Sequence, residues 1–352
     1  MPVMRERKLF TISIGERKTE TMEIIPGLHL LKISSPTVAY AHLNVYVIQG
    51  NNGWLMIDTG WDKAEALESL ETQLVEMGLG FRDISQILIT HSHPDHYGSS
   101  GKVKDLSGAT LALHEVEVNL LSSRFTNIQQ FWDDMSRWMQ ANGTPDEDLP
   151  VNTSIATWMK DIGIPGIPDV ILHDNDIVST GIFNFRVIWT PGHSPGHVCL
   201  YESEKKILLS GDHVLPGISP NVGRGPWTGD NPLGDYLASL DELTRLDVDL
   251  VLPAHEEPFT ECQQRICELR DHHEQRKTAM QKVLNNGAKT AYEVASEVMW
   301  TKNRKEVTLS ELCSMDKRMA LWETLAHLEL LRVEGNIEQL SQNDIILHRA
   351  CK

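Results

Sequence analysis

The chain of 352 residues is poor in cysteine, and its five cysteines are scattered without a Cys-x-x-Cys pair. Disulfide frameworks use even numbers of closely spaced cysteines, and cysteine zinc sites use such pairs. We therefore expect neither kind of site. A reducing compartment, by default the cytoplasm, is favoured.

Long apolar runs are also missing. No segment approaches the roughly 20 apolar residues that a membrane-spanning helix needs. The basic residues near the N-terminus have no apolar segment behind them, so we expect no secretory signal. These features predict a protein without membrane association.

Basic residues are outnumbered, with 32 Lys and Arg against 49 Asp and Glu, for a net charge of −17. From Thr260 onward the counts are 14 and 14, so the first 259 residues hold 32 − 14 = 18 basic and 49 − 14 = 35 acidic residues. Because nucleic acid is bound through Lys and Arg, we expect no nucleic-acid partner. An acidic region of this kind suits a site that concentrates cations.

The length favours one large domain and a smaller one. Strand and helix patterns alternate up to about residue 258, and the pattern is mostly helical from about Thr260. We therefore predict a first domain over residues 1–258, with an aromatic-rich insertion at about 125–168, and a second domain over residues 259–352.

The strongest chemical signal is the segment His91-Ser92-His93-Pro94-Asp95-His96. It directly follows Ile84–Thr90, which reads as an apolar strand. Three imidazoles and a carboxylate on one short loop, constrained by Pro94, can converge on a metal ion such as zinc.

Three further candidate ligands follow predicted strands in the same way. His193 comes after Phe183–Trp189, Asp212 after Lys206–Leu209, and His255 after a short strand at 250–252. In open α/β architectures, ligands bind outside the carboxyl ends of strands. The sequence thus predicts one metal site made of His91, His93, Asp95, His96, His193, Asp212 and His255.

This set of motifs, with Asp58-Thr59-Gly60 after an early strand, resembles the metallo-β-lactamase superfamily over about residues 25–258. The resemblance implies an α+β fold, an αββα sandwich, and two divalent metal ions. It implies His91, His93 and His193 on one metal, Asp95, His96 and His255 on the other, and Asp212 as a bridge. Zinc is expected first, with iron or manganese as alternatives. Ala254 stands where the family commonly has glycine before this histidine.

The resemblance also implies that a hydroxide bridging the metals attacks a carbonyl carbon. Asp95 and Asp212 are then the catalytic carboxylates, because Asp95 can orient the water or protonate the leaving group. Asp58 and His213 are expected to support the ligands from behind, and His197 to have a structural role.

Substrate contacts are expected from two regions. The insertion at about 125–168 is rich in aromatic residues and predicts a cap over the site, although a satellite core or a dimer surface would explain it as well. The loop Val214–Gly234 follows Asp212, so it should border the metals. The candidate substrate-binding residues are Tyr97, Trp132, Trp138, Arg224, Trp227 and Tyr236.

The region after Thr260 resembles a winged-helix-like appendage found on some hydrolases of this superfamily. Its signals are a capping box at Thr290, an amphipathic helix over Met319–Arg332 and a hairpin around residues 341–344. Because acidic and basic residues balance on the helix, packing against the larger domain or a second subunit is expected.

These features predict a metal-dependent hydrolase of a small acyl compound, first a thioester of the acyl-glutathione or acyl-CoA type. The branch resembled is that of glyoxalase II, thioesterases and lactonases. A lactonase is the main alternative, a ribonuclease-like hydrolase using the C-terminal module is a lower one, and a two-iron redox protein is another. A homodimer is left open.

Overall fold

The structure is a computed structural model that describes residues 21–34, 42–121, 128–150, 166–302 and 305–351. Two β-sheets pack against each other in its centre, and helices cover the outer face of each sheet. This order of layers is the predicted αββα sandwich. The prediction of no secretory signal concerns the first residues of the chain, which lie outside the described residues.

Within the described residues, the first sheet has seven strands in chain order: β1 (Met22–Ile25), β2 (Leu28–Ser34), β3 (His42–Gly50), β4 (Gly53–Ile57), β5 (Ile84–Leu88), β6 (Thr110–His114) and β7 (Val170–Leu172). Neighbouring strands are antiparallel from β1 to β4 and parallel from β4 to β7. Strands β3 and β4 form a hairpin with Asn51 and Asn52 at its turn.

The strands of the second sheet in the described chain are β8 (Ile177–Ser179), β9 (Asn184–Trp189), β10 (Val198–Glu202), β11 (Ile207–Gly211) and β12 (Leu250–Pro253). Strand β10 is antiparallel to both β9 and β11, and β11 is parallel to β12. Strands β9, β11 and β12 therefore run in the same direction, and their carboxyl ends meet at one edge.

Successive side chains of a strand alternate between the cluster under the outer helices and the cluster between the sheets. In β3, Val45 and Val47 belong to the apolar cluster under the outer helices, whereas Tyr46 and Ile48 belong to the cluster between the sheets. Successive side chains of a strand point to opposite faces, so one strand serves both clusters. Each fully buried side chain of this kind contributes roughly 1.5–3 kcal/mol.

The α-helices of the described residues are α1 (Ala64–Glu76), α2 (Pro94–Tyr97), α3 (Ser100–Ser107), α4 (Glu115–Leu121), α5 (Ile128–Ala141), α6 (Pro232–Leu243), α7 (Cys262–Leu284), α8 (Ala291–Glu297) and α9 (Ser314–Val333). Helix α6 begins at Pro232, directly after Asn231. The reason is that Asn231 caps it by accepting a hydrogen bond from the Gly234 N–H, and Pro232 occupies the first position. In the described parts of the chain, no helix has the length and apolar character to cross a membrane.

The C-terminal region also contains the strands β13 (Trp300–Lys302), β14 (Lys305–Val307), β15 (Ile337–Gln342) and β16 (Ile345–Ala350). The predicted hairpin is confirmed as β15–β16, and the capping box at Thr290 opens α8 as predicted. From α9, Ala326 and Leu330 join the apolar cluster formed with α6 and α7. The expected packing of this region on the larger domain is therefore observed, while the winged-helix likeness and the boundary at residue 258 stay predictions.

The aromatic-rich insertion is described over residues 128–150 and 166–168. Its helix α5 contributes Met135 and Met139 to an apolar cluster with Leu325 and Leu328 of α9. The described part thus forms the satellite core that the sequence left open as an alternative to a cap. Residues 125–127 and 151–165 of the insertion lie outside the described residues.

Candidate metal centre

Each candidate ligand lies just past the carboxyl end of a strand. His91 follows β5, His193 follows β9, Asp212 follows β11 and His255 follows β12. Contacts between these side chains show that both sheets direct these ends to one place. The placement agrees with the general rule for ligand sites at the carboxyl ends of strands.

The loop after β5 carries four of the seven predicted ligands. Pro94 occupies the first position of α2, where its missing N–H costs no hydrogen bond. The single turn that follows places Asp95 and His96 beside each other, and His91 and His96 are completely buried.

The first ligand trio consists of His91, His93 and His193. The Nδ1 atom of His93 lies 2.8 Å from Nε2 of His91 and 3.0 Å from Nε2 of His193. Three imidazole nitrogens that converge this closely are suited to one cation.

The second trio consists of Asp95, His96 and His255. The Asp95 carboxylate lies 3.7 Å from Nε2 of His96 and 3.4 Å from Nε2 of His255. Asp212 lies between the trios, because its Oδ1 is 3.5 Å from Nε2 of both His96 and His255 and its Oδ2 is 3.4 Å from Nε2 of His193. All seven predicted ligands are thus brought together, in overlapping groups whose ligand atoms lie within 4.8 Å of one another.

Outer contacts orient three of these rings. Nδ1 of His193 lies 2.9 Å from the Asn221 carbonyl, and Nδ1 of His255 lies 3.0 Å from the His42 carbonyl. Nδ1 of His96 lies 2.8 Å from the Asp58 carboxylate. Because a carbonyl or carboxylate oxygen accepts a hydrogen bond, Nδ1 carries a proton in each ring, and Nε2 is the atom left to face the centre and bind a cation.

Two buried atoms at the centre lack ordinary partners. Nε2 of His96 and Oδ1 of Asp212 are buried and form no hydrogen bond of ordinary geometry in the described part of the chain; they face each other as an ion pair at 3.5 Å. Such groups are costly to bury unless something binds them. A cation between them satisfies both, so the residues present fit a metal ion.

The electrostatics of the centre favour cations. Burial would raise the pKa of Asp95, but His96 and His255 lower it to about 2. Burial would likewise raise the pKa of Asp212, but the same two histidines lower it well below 3.8. Both carboxylates are therefore ionised at neutral pH and supply negative charge to the site.

The histidines of the two trios differ in their protonation. Burial lowers the pKa of His91 well below 6.5, and the neighbouring imidazoles lower it further. Burial would also lower the pKa of His96, but Asp212, Asp95 and Asp58 raise it well above 6.5. In the absence of metal, His96 therefore holds an additional proton that His91 does not.

Asp58 lies behind the second trio, where it was expected. Its carboxylate accepts hydrogen bonds from the Thr90 N–H at 2.8 Å and from the Thr90 hydroxyl at 2.9 Å, besides facing His96. The residue has a φ of 61°, a left-handed conformation that aspartate tolerates better than most side chains. It therefore connects the end of β4 to the loop that carries His91 and His96.

His197 and His213 line the other side of the centre. Nε2 of His197 accepts a hydrogen bond from the Asp212 N–H at 3.1 Å, so this histidine holds the backbone of a ligand, in line with the structural role expected for it. The His213 ring lies 5.7 Å from that of His197 and 4.6 Å from that of Tyr236. Burial lowers the pKa of His213 to about 3, so it is neutral.

Two candidate substrate residues are tyrosines with buried hydroxyl groups. The Tyr97 hydroxyl donates to the Gly166 carbonyl, and the Tyr236 hydroxyl donates to the His213 carbonyl at 3.0 Å. Both side chains are almost completely buried. Their described contacts are structural, and a role in substrate binding stays a prediction.

The other four candidates lie toward the C-terminal region. Arg224 donates to the Asp230 carbonyl at 3.1 Å and lies 3.9 Å from Glu329 of α9. The Trp227 ring stacks on Phe131 with 4.1 Å between ring centroids. Trp138 and Trp227 pack on the cluster shared by α5 and α9, and Trp132 is buried. None of these contacts involves a metal ligand, so substrate binding by these side chains also stays a prediction.

The prediction that the loop after Asp212 borders the centre is confirmed by the hydrogen bond from His193 to the Asn221 carbonyl. The sequence did not indicate this carbonyl, nor that of His42, because main-chain groups leave no trace in residue identity. It also gave no sign of Glu117, a buried carboxylate that contacts both histidine loops. The available signal was a single acidic residue among the mostly apolar residues of the segment Val116–Leu121.

The fold and this histidine–aspartate centre define a metal-dependent hydrolase. A sequence model of the metallo-beta-lactamase superfamily matches residues 42–255, a span that contains every candidate ligand. The chain belongs to the metallo-beta-lactamase superfamily.

Similar proteins cover most of the chain. The "Probable metallo-hydrolase YqjP" of Bacillus subtilis is 26% identical over 338 residues, which are 92% of this chain and 98% of that protein. The human acyl-coenzyme A thioesterase MBLAC2 is 27% identical over 231 residues, 61% of this chain and 74% of that protein. The crystal structure of a metallo-beta-lactamase family protein from Thermus thermophilus matches with a TM-score of 0.79 and 33% identity, covering 94% of this chain and all of that one.

Proposed function

We propose that the protein hydrolyses the ester-type bond of a small acyl compound, a thioester of the acyl-CoA or acyl-glutathione type, with two divalent metal ions. The observation that carries the proposal is the position of Asp212, whose two oxygens face different ligand trios. Zinc fits the imidazole-rich donor set best, and iron or manganese would also fit.

The seven ligands form one set of three for each cation and one shared residue. His91, His93 and His193 hold one, and Asp95, His96 and His255 hold the other. Asp212 lies between them and is shared. This division follows the distances between the side-chain atoms and the directions in which the outer hydrogen bonds point the Nε2 atoms.

When bound, the cations supply Lewis-acid activation of a water molecule and of the substrate carbonyl. The chain supplies the proton acceptor. Asp95 is ionised, and its side chain is 17% exposed, whereas that of Asp212 is 4% exposed. Asp95 is therefore the carboxylate that can take a proton from the attacking water and pass it to the leaving thiolate.

The choice of a thioester is supported by the relative whose name states that activity, the human acyl-coenzyme A thioesterase, at 27% identity. A lactone would use the same attack on a carbonyl carbon, and it differs only in the leaving group. The partner we propose is thus a small acyl compound rather than a nucleic acid or a membrane, and a homodimer remains compatible. Because all five cysteines are free thiols, we also propose a cytoplasmic location.

A substrate panel tests this proposal. The metal-reconstituted protein is assayed on acyl-CoA, acyl-glutathione and lactone substrates, with release of free thiol and release of acid measured separately. We expect thiol release that is lost after chelation and restored by metal. Acid release from lactones without thiol release from thioesters would reject the thioester and favour a lactonase.

The variant Asp212→Ala removes the shared carboxylate and should lower both the metal content and the turnover by orders of magnitude. Asp230→Ala is its control, because Asp230 is an exposed aspartate of the loop that follows Asp212. Undiminished turnover in Asp212→Ala would contradict the proposed shared ligand.

A further inference from the structure

The side chain of Glu117 is completely buried, although glutamate is seldom buried unless its carboxylate is well bound. It lies on α4, outside all of the segments that carry metal ligands. The contacts of its two carboxylate oxygens therefore indicate its role.

The two carboxylate oxygens serve two different loops. Oε2 accepts hydrogen bonds from the Ser92 N–H at 3.1 Å and from the Ser92 hydroxyl. Oε1 accepts from the Ser194 hydroxyl at 2.5 Å and from the Gly196 N–H at 2.9 Å. All four groups are donors, so in these contacts the carboxylate acts as an acceptor and fits its ionised form.

These loops carry the first ligand trio. Ser92 lies between His91 and His93, and Ser194 directly follows His193. One carboxylate thus connects two segments about a hundred positions apart in the chain, at the residues next to the three imidazoles. None of these four hydrogen bonds goes to a residue adjoining Asp95, His96 or His255.

Gly196 shows how closely this contact is built. A Cβ atom at this position would lie 2.6 Å from the Glu117 nitrogen and 2.7 Å from its Cγ. Any side chain at position 196 would displace Glu117 or the loop, so the second glycine of the segment Pro191–Gly196 is required by the close approach of α4 to this loop.

We propose that Glu117 is a positioning residue that sets the metal affinity of the His91, His93 and His193 trio without setting that of the other trio. The inference rests on the proposed function, since it presupposes two metal positions. The physical reason is that the spacing of three imidazoles on two loops depends on the carboxylate that is hydrogen-bonded to both loops. Outer contacts of this kind typically change metal affinity about 10–100-fold.

The test isolates each metal position before changing Glu117. Asp95→Ala leaves the first trio intact, and His93→Ala leaves the second. In each background Glu117→Gln is introduced, and zinc affinity is measured by competition with a chromophoric chelator. The amide keeps the shape of the side chain, but its N–H₂ group then faces two hydrogen-bond donors, either the two of Ser92 or those of Ser194 and Gly196.

We expect Glu117→Gln to weaken zinc binding about 10–100-fold in the Asp95→Ala background and less than about threefold in the His93→Ala background. Glu115→Gln, an exposed glutamate on the same helix, should change neither. Equal losses in both backgrounds, or no loss in either, would overturn the inference while leaving the proposed function intact. A wild-type chain that binds no metal would overturn both.

A second variant covers a failure of Glu117→Gln to fold, which circular dichroism would reveal. Ser194→Ala removes one of the four hydrogen bonds and leaves the Gly196 contact. It should give a smaller loss with the same preference for the first trio, and a loss without that preference would overturn the inference.

Discussion

Replacing Asp58 by asparagine probes how the protein keeps His96 ready to bind metal. The Asp58 carboxylate lies between two buried hydrogen-bond donors, the Thr90 N–H and the His96 Nδ1–H. Asparagine has the same shape and tolerates the left-handed backbone, but only one of its two terminal atoms accepts hydrogen bonds. Whichever way the amide turns, its N–H₂ group faces a buried donor.

The size of the effect follows from the bond that is lost. A hydrogen bond to a charged group contributes about 1.5–3 kcal/mol. Since about 1.4 kcal/mol corresponds to a factor of ten, the affinity for the metal held by His96 should fall about 10–100-fold. If the amide instead forces the proton of His96 onto Nε2, this atom no longer has the lone pair that binds the metal. The affinity for the metal should then fall by about 100-fold, the upper end of this range.

Chelator competition on Asp58→Asn measures this affinity, and activity at rising zinc concentration shows whether added metal restores turnover. The matched control is Asp83→Asn, which changes an exposed aspartate at the opposite end of β5, where it accepts a hydrogen bond from the Gly80 N–H. Wild-type metal affinity in Asp58→Asn would refute the reasoning, because the carboxylate would then contribute nothing to the orientation of His96.

Two predictions concern pH. Metal must displace a proton from His96 but not from His91, so we expect the metal at the second trio to be lost first when the pH is lowered. The zinc content after equilibration at pH values between 5 and 8 measures this loss. Loss of both metals at the same pH would contradict the prediction. Burial lowers the pKa of His273 to about 2 and that of His327 to about 3, so the unfolded chain binds more protons below pH 6.5 and the free energy of unfolding falls as pH is lowered from there. In the double variant His273→Leu/His327→Leu, the free energy of unfolding should depend less steeply on pH, by up to about 1.4 kcal/mol per pH unit for each histidine. Urea unfolding between pH 4.5 and 6.5 measures this slope. An unchanged slope would show that the two histidines are protonated in the folded state.

The sequence predicted the ligands because histidines and aspartates cluster on the short loops that follow apolar strands. Strand direction and position are encoded in patterns that span a few residues, as at Ile84–Thr90 before His91. The common edge then follows from the architecture. The groups that orient the ligands were harder to predict, since two of them are the main-chain carbonyls of His42 and Asn221.

Long-range packing accounts for most of what the sequence did not reveal. Helix α5 is strongly amphipathic, but its pattern does not state whether its apolar side covers a substrate or, as with Met135 and Met139, a second core. Helix α7 is 23 residues long, yet it is largely polar and Glu261 provides no side-chain cap, so local signals marked neither its start nor its length. Glu117 resembles a surface glutamate until the two histidine loops are seen around it.

If Asp212 joins two metal positions, both ions should be visible in an anomalous difference map, recorded at the zinc absorption edge, from crystals of the zinc-reconstituted protein. We expect two peaks, one among His91, His93 and His193 and one among Asp95, His96 and His255, with Asp212 between them. A single peak in a chain that is fully active would contradict it.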